Sequence, residues 1–426
     1  MTGDLTDEAR ALAEDEGRRG FLKCAAGIAG AAAAGSLGGE AYAAPPDRSG
    51  GSAPYDRRPP RRIPFHGKHQ TGIIKPKEQQ LHAMFLGLDV LARDRKELEE
   101  LFKKITKRSR KIMGGVGKDK HKHFTEEDEV TPTEDLLTIT LGVGASLFDD
   151  RFELSAHRPR HLKAMPSFPN DQLNPARCHG DLSLQICADH PDACNHVMRD
   201  LLREANGLFR PRWRTDAYLN PPRPVGTHPR TFVGFKDGIE NPDITSEKMM
   251  DELMWVTEES GEPDWALGGC YQVMRMIRLD METWDQVPVT KQEKIFGRHK
   301  SSGAPLDGDE ETDKPNYRKD PHGRIIPLDA HIRLANPRTK ETADSRIYRR
   351  SYNYDEGFDN DGKMAIGLMF CCYQQDIERQ FATVQKRLEH EAFAPYIAPI
   401  GGGYFFVLPG VKDEDDYLGS TLMKAN

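Results

Sequence analysis

Missing from this 426-residue chain is any apolar run long enough, and apolar enough, to read as a permanent membrane span. Basic excess is missing too. The formal net charge of −7 argues against a nucleic-acid partner, whose footprint would be a basic patch. Seven cysteines occur, but none falls in a C-x-x-C pair, so no structural zinc signature is present, and no C-x-x-C-H marks covalent c-type haem attachment. Gly401-Gly402-Gly403 is not followed by Lys-Ser or Lys-Thr, which excludes a phosphate loop; it reads as a backbone hinge into a strand. His121-Lys122-His123 stands in a polar loop and reads as solvated charge rather than a metal site.

What is present suggests two domains of a soluble protein. The length exceeds one typical domain and allows a large core, and 30% of residues are charged. The first 43 residues read as a targeting segment. Gly17-Arg18-Arg19-Gly20-Phe21-Leu22-Lys23 sets a twin arginine before an aromatic and a leucine; an Ala/Gly stretch follows, and Ala41-Tyr42-Ala43 gives a small-x-small cleavage pattern. This order resembles a twin-arginine (Tat) signal and implies export to the periplasm or the extracellular side of the envelope. Because that route carries folded proteins, often with cofactor inserted, a cofactor is expected. Residues 44–70 read as a flexible mature N-terminus, rich at first in Pro, Arg, Ser and Gly. Export permits disulfides. Cys178, Cys187 and Cys194 are close enough in sequence for one bridge, with the pairing open.

Periodicity gives the same element order twice. Strands are expected at 81–89, 136–143, 182–187 and 209–216, with helices at 94–111 and 191–206. The order is β-α-β-β-α-β, the ferredoxin-like unit. After a proline-rich junction at 218–228 it recurs: strand 271–279, helix 281–296, strands 346–352 and 363–372, helix 375–390 and strand 404–408. The expected division is 71–217 and 218–426. The long excursion 297–345 is too long for a simple connection and is a place to look for function.

Three segments carry candidate chemistry. Gly234-Phe235-Lys236-Asp237-Gly238-Ile239-Glu240-Asn241-Pro242 holds a carboxylate between glycines, suited to a flat ligand and to proton shuttling. His331 opens His331-Ile332-Arg333-Leu334-Ala335-Asn336-Pro337-Arg338, and Arg349 lies in Arg346-Ile347-Tyr348-Arg349-Arg350. Taken singly, Asp-Gly is ordinary turn punctuation, a histidine has many roles, and an arginine on a strand is more often an ion-pair partner. Trp255, Trp265, Trp284 and Tyr354 are potential electron relays, though such residues are more often packing groups.

Together, G-F-K-D-G-x-x-N-P, H-I-R-x-x-N-P-R and R-x-x-R-R resemble the motifs of the dye-decolorizing (DyP-type) haem peroxidases. The segment Gly401 to Gly410 and the leader narrow the resemblance to the exported deferrochelatase/peroxidase subgroup, and it spans roughly Gly72 to Gly410. It implies an α+β fold of duplicated ferredoxin-like (βαββαβ) halves, antiparallel sheets with helices, and non-covalent haem b in the C-terminal half. His331 would be the iron ligand. Asp237 and Arg349 would be catalytic on the distal side, with Arg349 also touching haem. Gly238, Ile239 and Glu240 would line the haem edge beside Asp237, and Asn336, Pro337 and Arg338 would line it on the His331 side. Ile239 departs from the small residue usual in the family. Ser351, where some relatives carry Asn, is given a minor role. The implied partners are hydrogen peroxide and a reducing co-substrate or haem itself; iron-uptake permease components and a homodimer or higher homo-oligomer also follow, and no nucleic acid. Release of iron from haem with the porphyrin intact is the alternative activity. A haem carrier without turnover and chlorite-dismutase-like chemistry are further alternatives.

Overall fold

The computed structural model describes residues 62–114 and 135–425. The leader at 1–43 with Cys24, most of the 44–70 lead and His121-Lys122-His123 lie outside them. Residues 62–70 are packed against the fold rather than flexible. Phe65 is buried, and the Gln70 amide donates to the carbonyls of Leu141 and Leu408 at 2.7 and 2.8 Å. A segment bonded in this way to the strand Thr138–Gly144 and to the residue after the strand Ile397–Val407 gives up the freedom its composition suggested.

The first half runs β1 (His82–Val90), α1 (Arg95–Gly114), β2 (Thr138–Gly144), β3 (Leu182–Ala188), α2 (Pro191–Glu204) and β4 (Phe209–Tyr218). Helix α1 buries Leu98, Leu101, Phe102, Ile105, Ile112 and Met113, the stripe that a 3.6-residue period dictates. Pro191 opens α2, where its missing N–H costs nothing. The second half runs β5 (Cys270–Leu279), α3 (Val289–Phe296), α4 (His331–Ala335), β6 (Tyr348–Arg349), β7 (Tyr352–Phe358), β8 (Met364–Gln374), α5 (Thr383–Leu388) and β9 (Ile397–Val407).

All strand pairings are antiparallel. The first half orders its strands β4-β1-β3-β2 and the second β9-β5-β8-β7, the same arrangement twice. The halves join at both edges, through Val143 opposite Phe406 and through Ala217 opposite Tyr354. Among the described residues, eight strands therefore close on themselves and leave no long open edge. One face of each sheet packs under the helices. The opposite faces share a single cluster that includes Phe85, Trp213, Met274, Tyr352, Tyr373 and Phe405.

Local departures from the sequence pattern have local causes. The helix expected over 281–296 breaks into Met281–Trp284 and α3, because Pro288 cannot continue the ladder. The strand expected over 346–352 is interrupted at Arg350, whose fully buried guanidinium turns inward to Gln80 Oε1 at 2.5 Å and to the Pro76 carbonyl at 3.2 Å. The glycine triplet does not precede β9 as a hinge but lies inside it. Gly402 has φ +121°, and a Cβ there would come within 2.0 Å of the Met274 carbonyl. The register of β5 against β9 shifts between Met276 and Ile277 nearby, as at a bulge. The six described cysteines are all buried free thiols, so no bridge links Cys178, Cys187 and Cys194. Among the described residues no helix is long and apolar enough to cross a membrane.

Candidate active site

A deep, mostly apolar cavity lies over the outer face of β5 and β8, enclosed by α3, α4 and α5. Ile277, Leu279, Leu368 and Phe370 form its floor, and Phe296, Ile332, Phe381, Leu388 and Phe393 its sides. Phe168, Pro169 and Asn170 reach in from the first half, so the cavity is not built by the C-terminal half alone.

His331 is the first residue of α4, the short helix in the middle of the long excursion. The excursion is held by Asp320, whose carboxylate accepts from the backbone of Arg324, Ile325 and Ile326, and by Arg333, which donates to the carbonyls of Asp320 and Ile326. The imidazole Nδ1 meets Glu391 Oε2 at 2.5 Å; Glu391 is 4% exposed, while His331 keeps 33% of its side chain open toward the cavity. This bond fixes the ring and leaves Nε2 as the free nitrogen. Burial disfavours a charge on the ring, but the Glu391 carboxylate, by charge and by hydrogen bond, outweighs it and holds the His331 pKa above its ordinary value. Phe296 and Phe393 flank the imidazole, with ring centroids 5.6 and 6.5 Å away.

Asp237 and Arg349 line the same cavity. Arg349 Nε and Nη2 both lie 3.0 Å from Asp237 Oδ1, which also accepts the Gly238 N–H at 2.8 Å. Gly238 presents that N–H from φ +92°, a conformation open to glycine. Burial pushes the Asp237 carboxyl up; the Arg349 charge and the Gly238 and Arg349 hydrogen bonds more than reverse this and hold it below the usual aspartate value. Behind the pair is a small pocket of about 20 Å³, lined in part by Gly238, Ser351, Asn353 and Gln79, with room for a single water.

The loop carrying Asp237 is stapled to the excursion. Arg230 donates to the carbonyls of Gly234, Lys300 and Ser301, and Lys236 pairs with Glu311. Glu240 accepts from Arg298 at 3.1 Å and from Arg338 at 2.5 Å. Arg346 feels the charge of the same carboxylate without pairing with it, so three guanidiniums lie in the field of one glutamate. Burial lowers the pKa of Arg298 and of Arg346, and among the described residues the buried Nε atoms of Arg338 and Arg346 meet no acceptor. The site is thus short of negative charge at one end.

Of the residues expected from sequence, Asp237, Ile239, Glu240, His331, Asn336 and Arg349 line the main cavity, and Gly238 lines the small pocket behind it. Pro337 and Arg338 stand outside the wall, and Arg338, at φ +57°, reaches the site through Glu240. Ser351 turns its hydroxyl to the Cys371 N–H at 3.4 Å. Glu391, Arg298, Arg346 and the 168–170 segment were not singled out. Arg346 at least lies within a quoted motif, whereas Glu391 is 60 residues from His331 and has no local signature.

Two family profiles cover most of the chain: Dyp-type peroxidase, N-terminal, matches residues 70–218, and Dyp-type peroxidase, C-terminal, matches residues 228–412. The chain belongs to the Dyp-type peroxidase family. It is 46% identical over 375 residues to a deferrochelatase of Shigella flexneri serotype 5b (strain 8401), covering 85% of this chain and 87% of that one. Among solved structures, a DyP-type peroxidase from Cellulomonas bogoriensis superposes with a TM-score of 0.77 at 33% identity, over 86% of this chain and 99% of the other. Ferric DtpA from Streptomyces lividans does so with a TM-score of 0.77 at 32% identity, over 85% and 97%. The α+β duplicated fold is that of this family.

Proposed function

We propose that this chain is a haem b peroxidase that reduces hydrogen peroxide and oxidises an electron donor. The observation that carries the reading is one cavity holding both a histidine locked by a buried carboxylate and an Asp–Arg pair. The donor set fits haem. His331 Nε2 is free to ligate iron, the apolar floor suits a porphyrin face, and Arg298 together with the unpartnered Nε atoms of Arg338 and Arg346 suits the two propionates. Three cations around Glu240 leave two positive charges, matching two carboxylates. When bound, haem supplies redox chemistry with peroxide, tuned by its histidine ligand.

The protein's own contribution is proton handling and charge. Asp237 Oδ1 is occupied by Arg349 and Gly238, which leaves Oδ2 for the substrate. An ionised Asp237 takes the proton from one peroxide oxygen at Oδ2 and returns it to the other, so that water leaves in place of hydroxide. Arg349 keeps the carboxylate ionised and stabilises negative charge on the departing oxygen. Glu391 holds His331 in one tautomer and raises its basicity. Ile239 and Glu240 would border the cofactor beside Asp237 and Asn336 would border it on the His331 side, with Gly238 behind Asp237 and with Pro337 and Arg338 outside that wall.

The kinship with deferrochelatases supports a second activity on the same site, release of iron from haem with the porphyrin intact. The reading also takes residues 1–43 as a Tat leader and places the mature chain, with halves 71–217 and 218–426, outside the cytoplasm in iron supply. An iron-uptake permease and further copies of the chain are the protein partners it implies. A carrier without turnover would need His331 but neither Asp237 nor Arg349. Asp237→Ala and Arg349→Ala are therefore expected to keep haem and to slow the reaction with peroxide by roughly 10²–10⁴-fold. Parental rates in both variants would contradict the assignment.

A further inference from the structure

Arg349 sits on a strand that is paired on one side only. Strand β6 runs along β8, with Tyr348 opposite Tyr373 and Arg349 opposite Cys372. In an antiparallel ladder, alternate residues aim their N–H and C=O to opposite sides. The groups of Arg349 point away from β8, toward the Asp237 loop, where no strand of the described residues runs. There a single side chain meets both of them. Asn241 Oδ1 accepts the Arg349 N–H at 3.0 Å, and Asn241 Nδ2 donates to the Arg349 carbonyl at 2.8 Å. A carboxamide is the short side chain that offers both an acceptor and a donor, as a strand residue would.

We infer that Asn241 is a positioning residue that acts as a one-residue strand partner for Arg349 and so sets the Asp237–Arg349 geometry. The inference rests on the peroxidase reading of that pair. The contacts form a closed ring. Asn241 N–H returns to the Gly238 carbonyl at 3.1 Å, Gly238 N–H binds Asp237 Oδ1 at 2.8 Å, and Asp237 Oδ1 receives Arg349 Nε at 3.0 Å. Pro242 follows, buried, and biases Asn241 toward extended backbone, which points the amide outward from the turn. The ring couples the carboxylate and the guanidinium through the backbone of each, so neither can drift without breaking an Asn241 bond. This gives the Asn-Pro ending of the loop a task that turn chemistry alone does not require.

The test uses Asn241→Leu, which removes both bonds without changing charge. Two measurements are made on the full chain. In the haem-free protein, the carboxyl of Asp237 is titrated by ¹³C NMR with labelled aspartate and assigned with Asp237→Asn. The charged groups facing that carboxyl are Arg349 and, in the cavity, His331 with Glu391 behind it; Lys236 is tied to Glu311, and Glu240 to Arg298 and Arg338. The substitution changes none of them, so a titration moved up toward the ordinary aspartate value reports displacement of Arg349. In the haem-loaded protein, the rate of reaction with peroxide should fall by roughly ten- to a hundredfold, as for a misplaced catalytic group. The same substitution on an Arg349→Ala background should cost nothing further, because the effect runs through Arg349. An unmoved Asp237 titration would overturn the inference, and so would a full additional loss on the Arg349→Ala background. If Asn241→Leu does not fold, Asn241→Ser is read the same way, since its hydroxyl is too short to span both groups. The haem-free titration decides the clamp even if Asp237 proves to have no part in peroxide chemistry.

Discussion

Replacing Glu391 by glutamine tests the link between the buried carboxylate and the proposed iron ligand. The Glu391–His331 contact is 2.5 Å long and the carboxylate is 4% exposed, so solvent screens it little. A hydrogen bond to a charged group contributes about 1.5–3 kcal/mol. Partners of metal-ligating histidines are worth roughly 10–100-fold in affinity or activity, about 1.4–2.7 kcal/mol, so the two estimates agree. Glutamine keeps an acceptor for Nδ1–H but removes the charge, and about a tenfold loss of haem affinity is expected at alkaline pH. The deficit should shrink as pH falls. In the parent, Glu391 holds the His331 pKa above its ordinary value, and protonation then competes with iron for the ring. Without that charge the ring protonates at lower pH, so the variant is spared part of the competition. Glu391→Ala should lose nearer a hundredfold at alkaline pH, because the ring is no longer oriented. The assay is haem titration of the full chain followed by Soret absorbance across a pH series. Parental affinity for Glu391→Gln at every pH would refute the reasoning.

Other consequences are open to measurement. Because Arg349 and Gly238 hold the Asp237 pKa below its ordinary 3.8, the carboxylate stays ionised down to that pH; the peroxide rate should fall only as pH drops through the depressed value, and Arg349→Ala should move this acid limb upward. Arg275 and Asp171 form a fully buried ion pair, 1% and 0% exposed, so Arg275→Met should cost about 3–5 kcal/mol in urea unfolding, while replacing both partners with apolar residues should cost far less. Gly402→Ala must place a Cβ 2.0 Å from the Met274 carbonyl at φ +121°, and should lower stability by at least about 1–3 kcal/mol in the same assay.

Much of the architecture was legible because burial imposes period. The 3.6-residue stripe of α1 and the apolar runs of β1, β2 and β3 marked their elements within a few residues. The repeated element order already implied two like halves. Closure of the sheet was not legible, because it depends on pairing Val143 with Phe406 and Ala217 with Tyr354, contacts between distant segments that leave no local pattern. The same division runs through the site. His331, Asp237 and Arg349 stood out by motif, and the cavity brings all three together. Glu391, Arg298 and the 168–170 segment did not, since each belongs to the site only through folding. Composition suggests freedom over 44–70, but in its last residues Phe65 is buried and Gln70 bonds to the carbonyls of Leu141 and Leu408.

The central claim is that this cavity turns over peroxide on haem held by His331. The most direct measurement is the absorption spectrum of the haem-loaded chain, followed in stopped flow after one equivalent of hydrogen peroxide and then a reducing dye. The account predicts a rapid Soret change that the dye reverses, lost in His331→Ala and slowed in Asp237→Ala. An unchanged Soret band would contradict it and leave a haem carrier. A metal-free porphyrin spectrum in place of reversible turnover would make iron release the activity of this site.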